Sequence, residues 1–244
     1  MSSIYFIFKR ELKGYFSTPL AYVFIVIFLF LSGFMTFQMS DFFRAGQASL
    51  ASFFAPHPWL YLILASAVAM RLWAEERDNG TIELLFTLPV TLTQALVAKF
   101  LAAWAILGIS LALTFPVVLT VRYLGSPDYG VILSAYLGSF LMAGAYLAIG
   151  ACMSALTKSQ VVSFILTVVV CLLLILAGFP PVLDFFTGWA PAWLIEAVSS
   201  VSFYTHFDSI QRGVIVLPDL VFFLSLIVAP LYACGVILEM KKAQ

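Results

Sequence analysis

The chain is short of charge. Only 10% of its 244 residues are Asp, Glu, Lys or Arg, while 63% are hydrophobic. Soluble domains carry about 25% charged residues. A water-soluble globule would lack the charges to cover its surface, which excludes an ordinary cytosolic enzyme, a disordered chain and a nucleic-acid binder. The twelve Lys and Arg balance the twelve Asp and Glu, so net charge names no polyanionic partner. There are only two histidines, His57 and His206, and three isolated cysteines, Cys152, Cys171 and Cys234. All three cysteines sit in apolar runs with no C-x-x-C spacing, so they read as small buried hydrophobes rather than ligands. No G-x-x-x-x-G-K-[ST], H-E-x-x-H or G-x-S-x-G is present. The chain has no P-loop of its own, and energy for uphill transport would have to enter from another protein.

What is abundant is long apolar sequence, with a mean hydropathy of +1.08. A spanning helix needs about 20 mostly apolar residues. Six runs qualify: 20–38, 58–73, 96–121, 131–156, 161–179 and 220–238. No small-residue cleavage site follows the first, so it is expected to be a retained helix. The fold expected is an all-α membrane protein with six transmembrane helices, one domain over 1–244. Six spans put both termini on one side. With the N-terminus inside, Lys9, Arg10, Lys13, Arg71, Arg77, Lys99, Lys158, Lys241 and Lys242 are inside, against Arg44, Arg122 and Arg212 outside. That asymmetry predicts an N-in, C-in topology.

Ionisable residues are nearly absent from the runs. Carriers, voltage sensors and intramembrane hydrolases keep such groups inside the bilayer because their chemistry needs them there. Arg71 and Lys99 lie at span ends, where long side chains snorkel. The Ser and Thr within spans, among them Ser110, Thr114, Ser163, Thr167 and Ser225, are expected to bond their own backbone. Pro116 and Pro230 can kink helices. The fourth run carries Gly138, Ser139, Ala143, Gly144, Ala148, Gly150 and Ser154, small residues that let helices approach closely. They suit packing within one subunit as well as a dimer seam.

Three segments outside the spans are distinctive. Residues 1–19 are aromatic and basic, with Lys9, Arg10, Glu11 and Lys13, and read as an interfacial helix on the inner leaflet. Ser17-Thr18-Pro19 then breaks the chain. Residues 180–219 form an outer segment of about 40 residues, rich in Trp, Phe and Tyr. It is too aromatic for a solvated linker, and re-entrant or interface-lying helices suit it. Residues 74–94 form an inner loop. In it Glu75, Glu76, Arg77 and Asp78 precede a turn at Asn79 and Gly80. Thr81 or Asn79 can cap a short helix with Glu83 near its start. Ile82, Leu85 and Phe86 then share one apolar face. A helix lying on anionic lipid should be basic; four acids against Arg77 favour a protein partner instead.

The stretches F-K-R-E-L-K-G-Y-F-S-T-P-L-A-Y-V (8–23), E-E-R-D-N-G-T-I-E-L-L-F-T-L-P-V (75–90) and H-F-D-S-I-Q-R-G-V-I (206–215) resemble the ABC-2 type transporter permeases. The likeness is to the gliding-motility, GldF-like branch, with the nitrous-oxide-reductase maturation permease NosY as a relative. The resemblance implies a non-catalytic permease subunit in the bacterial inner membrane. Its partners would be a cytoplasmic ABC ATPase, a second permease copy, identical or related, and a larger GldG-like membrane component. ATP and Mg would sit on the ATPase; no cofactor is expected on this chain. Residues 1–19 would be the connecting helix. Residues 79–86 would be the coupling helix docking on the ATPase, with Glu75, Glu76, Arg77, Asn79, Gly80, Thr81 and Glu83 polar and Ile82, Leu85 and Phe86 apolar. One departure is Val216, where relatives carry an acidic residue directly after R-G-V-I; here Asp219 follows. Two other readings stand beside this one. One is a scaffold or mechanical adaptor driven by an ATPase without substrate flux, which suits the lack of a polar track. The other is a membrane-embedded enzyme, with His57, His206 and Asp208 as its outer-face set.

Overall fold

The computed structural model describes residues 3–39, 42, 49–80, 91–187 and 190–242, and all regular structure among them is helical. Helix α1 is Ser3–Ser17 and α2 is Pro19–Phe34, continued by a π-turn at Met35–Met39. Pro19 begins α2 because its missing N–H costs nothing at a helix start. A short α3 (Ala51–Phe54) leads into α4 (His57–Ala69) and α5 (Arg71–Asp78). Then come α6 (Leu92–Ala112), α7 (Phe115–Leu124), α8 (Tyr129–Leu156), α9 (Gln160–Leu176), α10 (Pro180–Thr187), α11 (Ala192–Ser199), α12 (Phe203–Gln211) and α13 (Leu217–Lys242).

Five stretches are long and apolar enough to cross a membrane: Pro19–Met39, Ala51–Asp78, Leu92–Leu124, Tyr129–Leu156 and Leu217–Lys241. A sixth candidate is the pair α9 and α10, bent by 65° at the break between them. The six runs of the sequence correspond to these one for one. The bend falls close to residue 179, where the fifth run was expected to end and the outer segment to begin. Pro180 and Pro181 withhold the donors that would continue α9. Pro116 likewise sits just after a break, at the start of α7. Pro230, by contrast, lies inside an unbroken α13.

The hub is α8, which packs on α4, α5, α6, α9, α12 and α13. Its small residues are what allow this. A Cβ added at Gly150 would lie 2.3 Å from the Ala69 Cβ, and one at Gly138 would lie 2.5 Å from Ile210 Cγ2. Gly144 lies under the Trp104 indole, which stacks on Phe140 at 4.4 Å and donates to its carbonyl at 2.9 Å. The glycines of the fourth run thus bury contacts within this chain. Ser154 serves the same hub. At the Met70 break between α4 and α5, its hydroxyl accepts from the Trp73 and Ala74 amides at 3.0 and 2.9 Å and donates to the Met70 carbonyl at 2.9 Å. A break in lipid must find partners for its freed backbone groups, and here a facing helix supplies them.

The outward faces of α2, α9 and α13 are apolar. Val26, Phe30, Val161, Ile165, Leu173, Val228 and Tyr232 are all exposed on the isolated chain, as a bilayer-facing surface requires. The Ser and Thr of the spans behave largely as expected. Ser66, Ser110 and Thr167 each donate to a carbonyl one turn back. Ser134 also crosses to the Ile210 carbonyl, and Tyr61 reaches Ser139 at 3.0 Å.

Candidate functional site

Three elements meet at one end of the bundle. Helix α1 packs along α6 as well as α2. Its Ile7 is buried, Glu11 and Tyr15 follow at one-turn intervals on that side, and Lys9, Arg10 and Lys13 remain exposed. Helix α1 is therefore two-sided, with its Ile7, Glu11 and Tyr15 side resting on protein and its basic residues exposed. The second element is α5, the charged end of the second span. The third is the first third of α6, fixed by a capping box in which Thr91 and Gln94 exchange backbone and side-chain bonds at 3.3 Å.

Lys99 joins the three. Its Nζ lies 3.2 Å from Glu11 Oε2 and 2.6 Å from Glu76 Oε1. The ammonium also stands 5.7 Å from the centre of the Trp73 ring. Lys99 is only 5% exposed. It does not snorkel to open water as a span-end lysine was expected to. A buried ammonium needs charged partners, and two carboxylates from two different elements supply them. Beside it, Arg71 forms a bidentate pair with Glu75, at 2.6 and 2.7 Å. A cavity of about 300 Å³ opens between them, bordered by Glu11, Tyr15, Arg71, Glu75, Glu76, Asn79 and Lys99.

Electrostatics follow from this packing. Burial raises the Glu11 carboxyl, but the Lys99 ammonium and the neighbouring Arg10, 2.8 Å away, outweigh it, and the net shift is downward. Burial, together with the Glu11 charge, pushes the Tyr15 phenol well up, so it stays a neutral hydroxyl.

The residues expected to face a partner divide clearly. Glu76 and Glu11 turn inward to Lys99. Arg77 donates to the Ala155 carbonyl at the C-terminus of α8, 2.9 Å. Lys241 reaches the Ala155 and Leu156 carbonyls at 3.0 and 2.7 Å, so two cations neutralise the negative end of that helix dipole. Asn79 ends α5, and Gly80, with φ of +69°, turns the chain away. Thr81, Ile82, Glu83, Leu85 and Phe86 lie outside the described residues. The helices flanking residues 81–90 therefore meet at the junction, α5 through Glu76 and α6 through Lys99.

Sequence reasoning missed Lys99 as a partner of Glu11 and Glu76. It also placed His57, His206 and Asp208 together, whereas the structure gives them separate surroundings. His57 is fully buried, ringed by Phe28, Phe53, Phe54 and Tyr61, with Nδ1 3.3 Å from Ser139 Oγ. His206 pairs with Asp219, and Asp208 pairs with Arg212 at 2.6 Å. Among the described residues, no acid, base and nucleophile converge at the His57 cage.

The decisive comparison is with protein families. Residues 34–191 match the family described as ABC-2 family transporter protein, well over half of the chain. The chain belongs to the ABC-2 transporter family. Its multi-pass helical bundle agrees with that membership. The family supplies permease components of ABC transporters, typically non-catalytic, and implies a partner ATP-binding subunit. No individual curated protein matches the sequence. Within this ABC-2 chain the matched region contains α3 to α10 and the whole 74–94 loop, while α1, nearly all of α2, and α11 to α13 lie beyond it.

Proposed function

We propose that this chain is the permease half of a bacterial inner-membrane ABC transporter of the GldF-like branch, related to NosY. Both termini face the cytoplasm, and two permease copies, identical or related, work with a cytoplasmic ATPase. A GldG-like membrane component belongs to the same assembly. Residues 79–86 are the coupling helix and α1 is the connecting helix. Force from the ATPase enters at 79–86 and passes to the second and third spans through Glu76 and Lys99, and to α1 through Glu11. The observation that carries this reading is Lys99: one buried ammonium ties together the two helices flanking the loop and the interfacial helix. A loop so anchored moves its spans when pushed. ATP and Mg bind on the partner.

The test is Phe86→Asp. It is expected to insert normally and to abolish stimulation of the ATPase by the permease. Retained stimulation and normal turnover would remove the coupling assignment.

A second reading, a mechanical adaptor without flux, is favoured by one observation. Many of the span hydroxyls are consumed by their own backbone, as at Ser66, Ser110 and Thr167, which leaves little polar lining within one chain. Vectorial movement of any solute in vesicles holding the full assembly excludes it.

A further inference from the structure

At the end of the bundle opposite Lys241, α12 anchors the outer segment. Phe203, Phe207 and Ile210 are buried, and Phe203 stacks on Tyr146 at 4.4 Å. By contrast α11, just before it, buries no residue. The link between them is polar. His206 Nδ1 lies 2.6 Å from Asp219 Oδ1, and Nε2 lies 2.9 Å from the Ser200 carbonyl oxygen. The imidazole stacks on Phe222 at 4.0 Å. Ser209 donates to the second Asp219 oxygen. Asp219 is buried in the first turn of α13. One ring thus joins the end of α11, the body of α12 and the head of the last span.

Both atoms facing this ring are acceptors. A neutral imidazole carries one N–H, so one nitrogen lone pair would point at an oxygen. An imidazolium donates to both. We propose that His206 is a proton-operated latch, fixing the α11–α12 turn to the head of α13 when charged and releasing it when neutral.

The surrounding charges leave Asp219 as the controlling partner. Helices α8 and α9, which pack on α12, carry no Asp, Glu, Lys or Arg; their titratable groups are tyrosines and Cys152 and Cys171. On α12 itself, Asp208 is held by Arg212 and by Gln211, whose amide donates to it at 2.7 Å. On α11 the one charged residue is Glu196, another acid and so no competitor for the carboxylate. On α13, Glu239, Lys241 and Lys242 sit at the far end. Proton uptake and latching favour one another, so the latch is closed at the acid end and opens as pH rises.

The experiment uses the full chain in lipid nanodiscs with a nitroxide on Ala197→Cys, an exposed site on α11; the native cysteines are buried. Label mobility is read from about pH 5 to about pH 8.5. In parallel, ring-¹⁵N spectra follow His206, with His57→Phe removing the only other imidazole. The expected result is a mobile fraction that grows with pH along the His206 titration. His206→Gln and Asp219→Asn should each abolish that dependence. Mobility that ignores pH in the parent chain overturns the proposal, as does unchanged pH dependence in either variant. If His206→Gln does not fold, Asp219→Asn decides alone.

Discussion

Lys99 Nζ and Glu76 Oε1 stand 2.6 Å apart, and through them the start of the third span is held to the end of the second. The pair is buried on the lysine side, with Glu76 and Glu11 each about a fifth exposed. Removing one partner of a buried pair strands the others and costs about 3–5 kcal/mol, less where solvent reaches the survivors. Lys99→Met alone should therefore destabilise the chain by about 2–3 kcal/mol. The triple variant Glu11→Gln, Lys99→Met, Glu76→Gln should recover most of that loss. Thermal unfolding in detergent reads both. Equal loss in single and triple variants would mean that packing, not charge, holds the junction.

The Glu11 shift gives a pH dependence. A carboxyl lowered in the folded state contributes stability above its unfolded value, and that contribution is lost as pH falls through the lowered one. Docking of α1 on α6 should therefore weaken only on the acid side, as pH falls below the ordinary glutamate range. A nitroxide on the exposed α1 position Tyr5 (Tyr5→Cys) should gain mobility there and stay immobilised near neutrality. Glu11→Gln should make that mobility largely independent of pH.

The His57 cage should tolerate loss of the imidazole. Its Nε2 is buried with no described partner, and such an atom is a cost rather than an anchor. His57→Phe keeps a ring among Phe28, Phe53, Phe54 and Tyr61, and Ser139 keeps its bond to Tyr61. The expected change is within about 1.5 kcal/mol, with transport activity retained. A large loss of activity at preserved stability would revive His57 as a chemical group.

The glycines of α8 and α13 should differ sharply. Gly150→Ala places a methyl 2.3 Å from the Ala69 Cβ, and two helices must part, at about 1–3 kcal/mol. Gly235→Ala meets nothing within 4 Å and should stabilise α13 by about 0.5–1 kcal/mol. If Gly235→Ala instead impairs assembly, that face of α13 meets another chain.

Much of this arrangement is legible in the sequence, for identifiable reasons. The spans show themselves because about 20 apolar residues in a row have few other uses. The small residues of α8 announce close contact, but not with which helix; only the fold shows that Gly150 faces Ala69 and Gly138 faces Ile210. The turn at Asn79-Gly80 is readable because glycine adopts positive φ freely. The Lys99 junction is not readable. Glu11 and Lys99 are 88 residues apart, and a lysine near a span end looks the same whether water or a carboxylate receives it. The His206–Asp219 pair is hidden for a similar reason. Its partners are 13 residues apart across a turn, a spacing that no helical or strand period marks.

The central claim is that this permease is driven through the 79–86 segment by a separate ATPase. Affinity purification of the chain from its native host in mild detergent, followed by identification of what comes with it, tests that most directly. A P-loop ATPase in equal amount, lost in Phe86→Asp and Glu83→Lys variants, is the predicted result. A stable, biologically active chain recovered with no ATPase would contradict it.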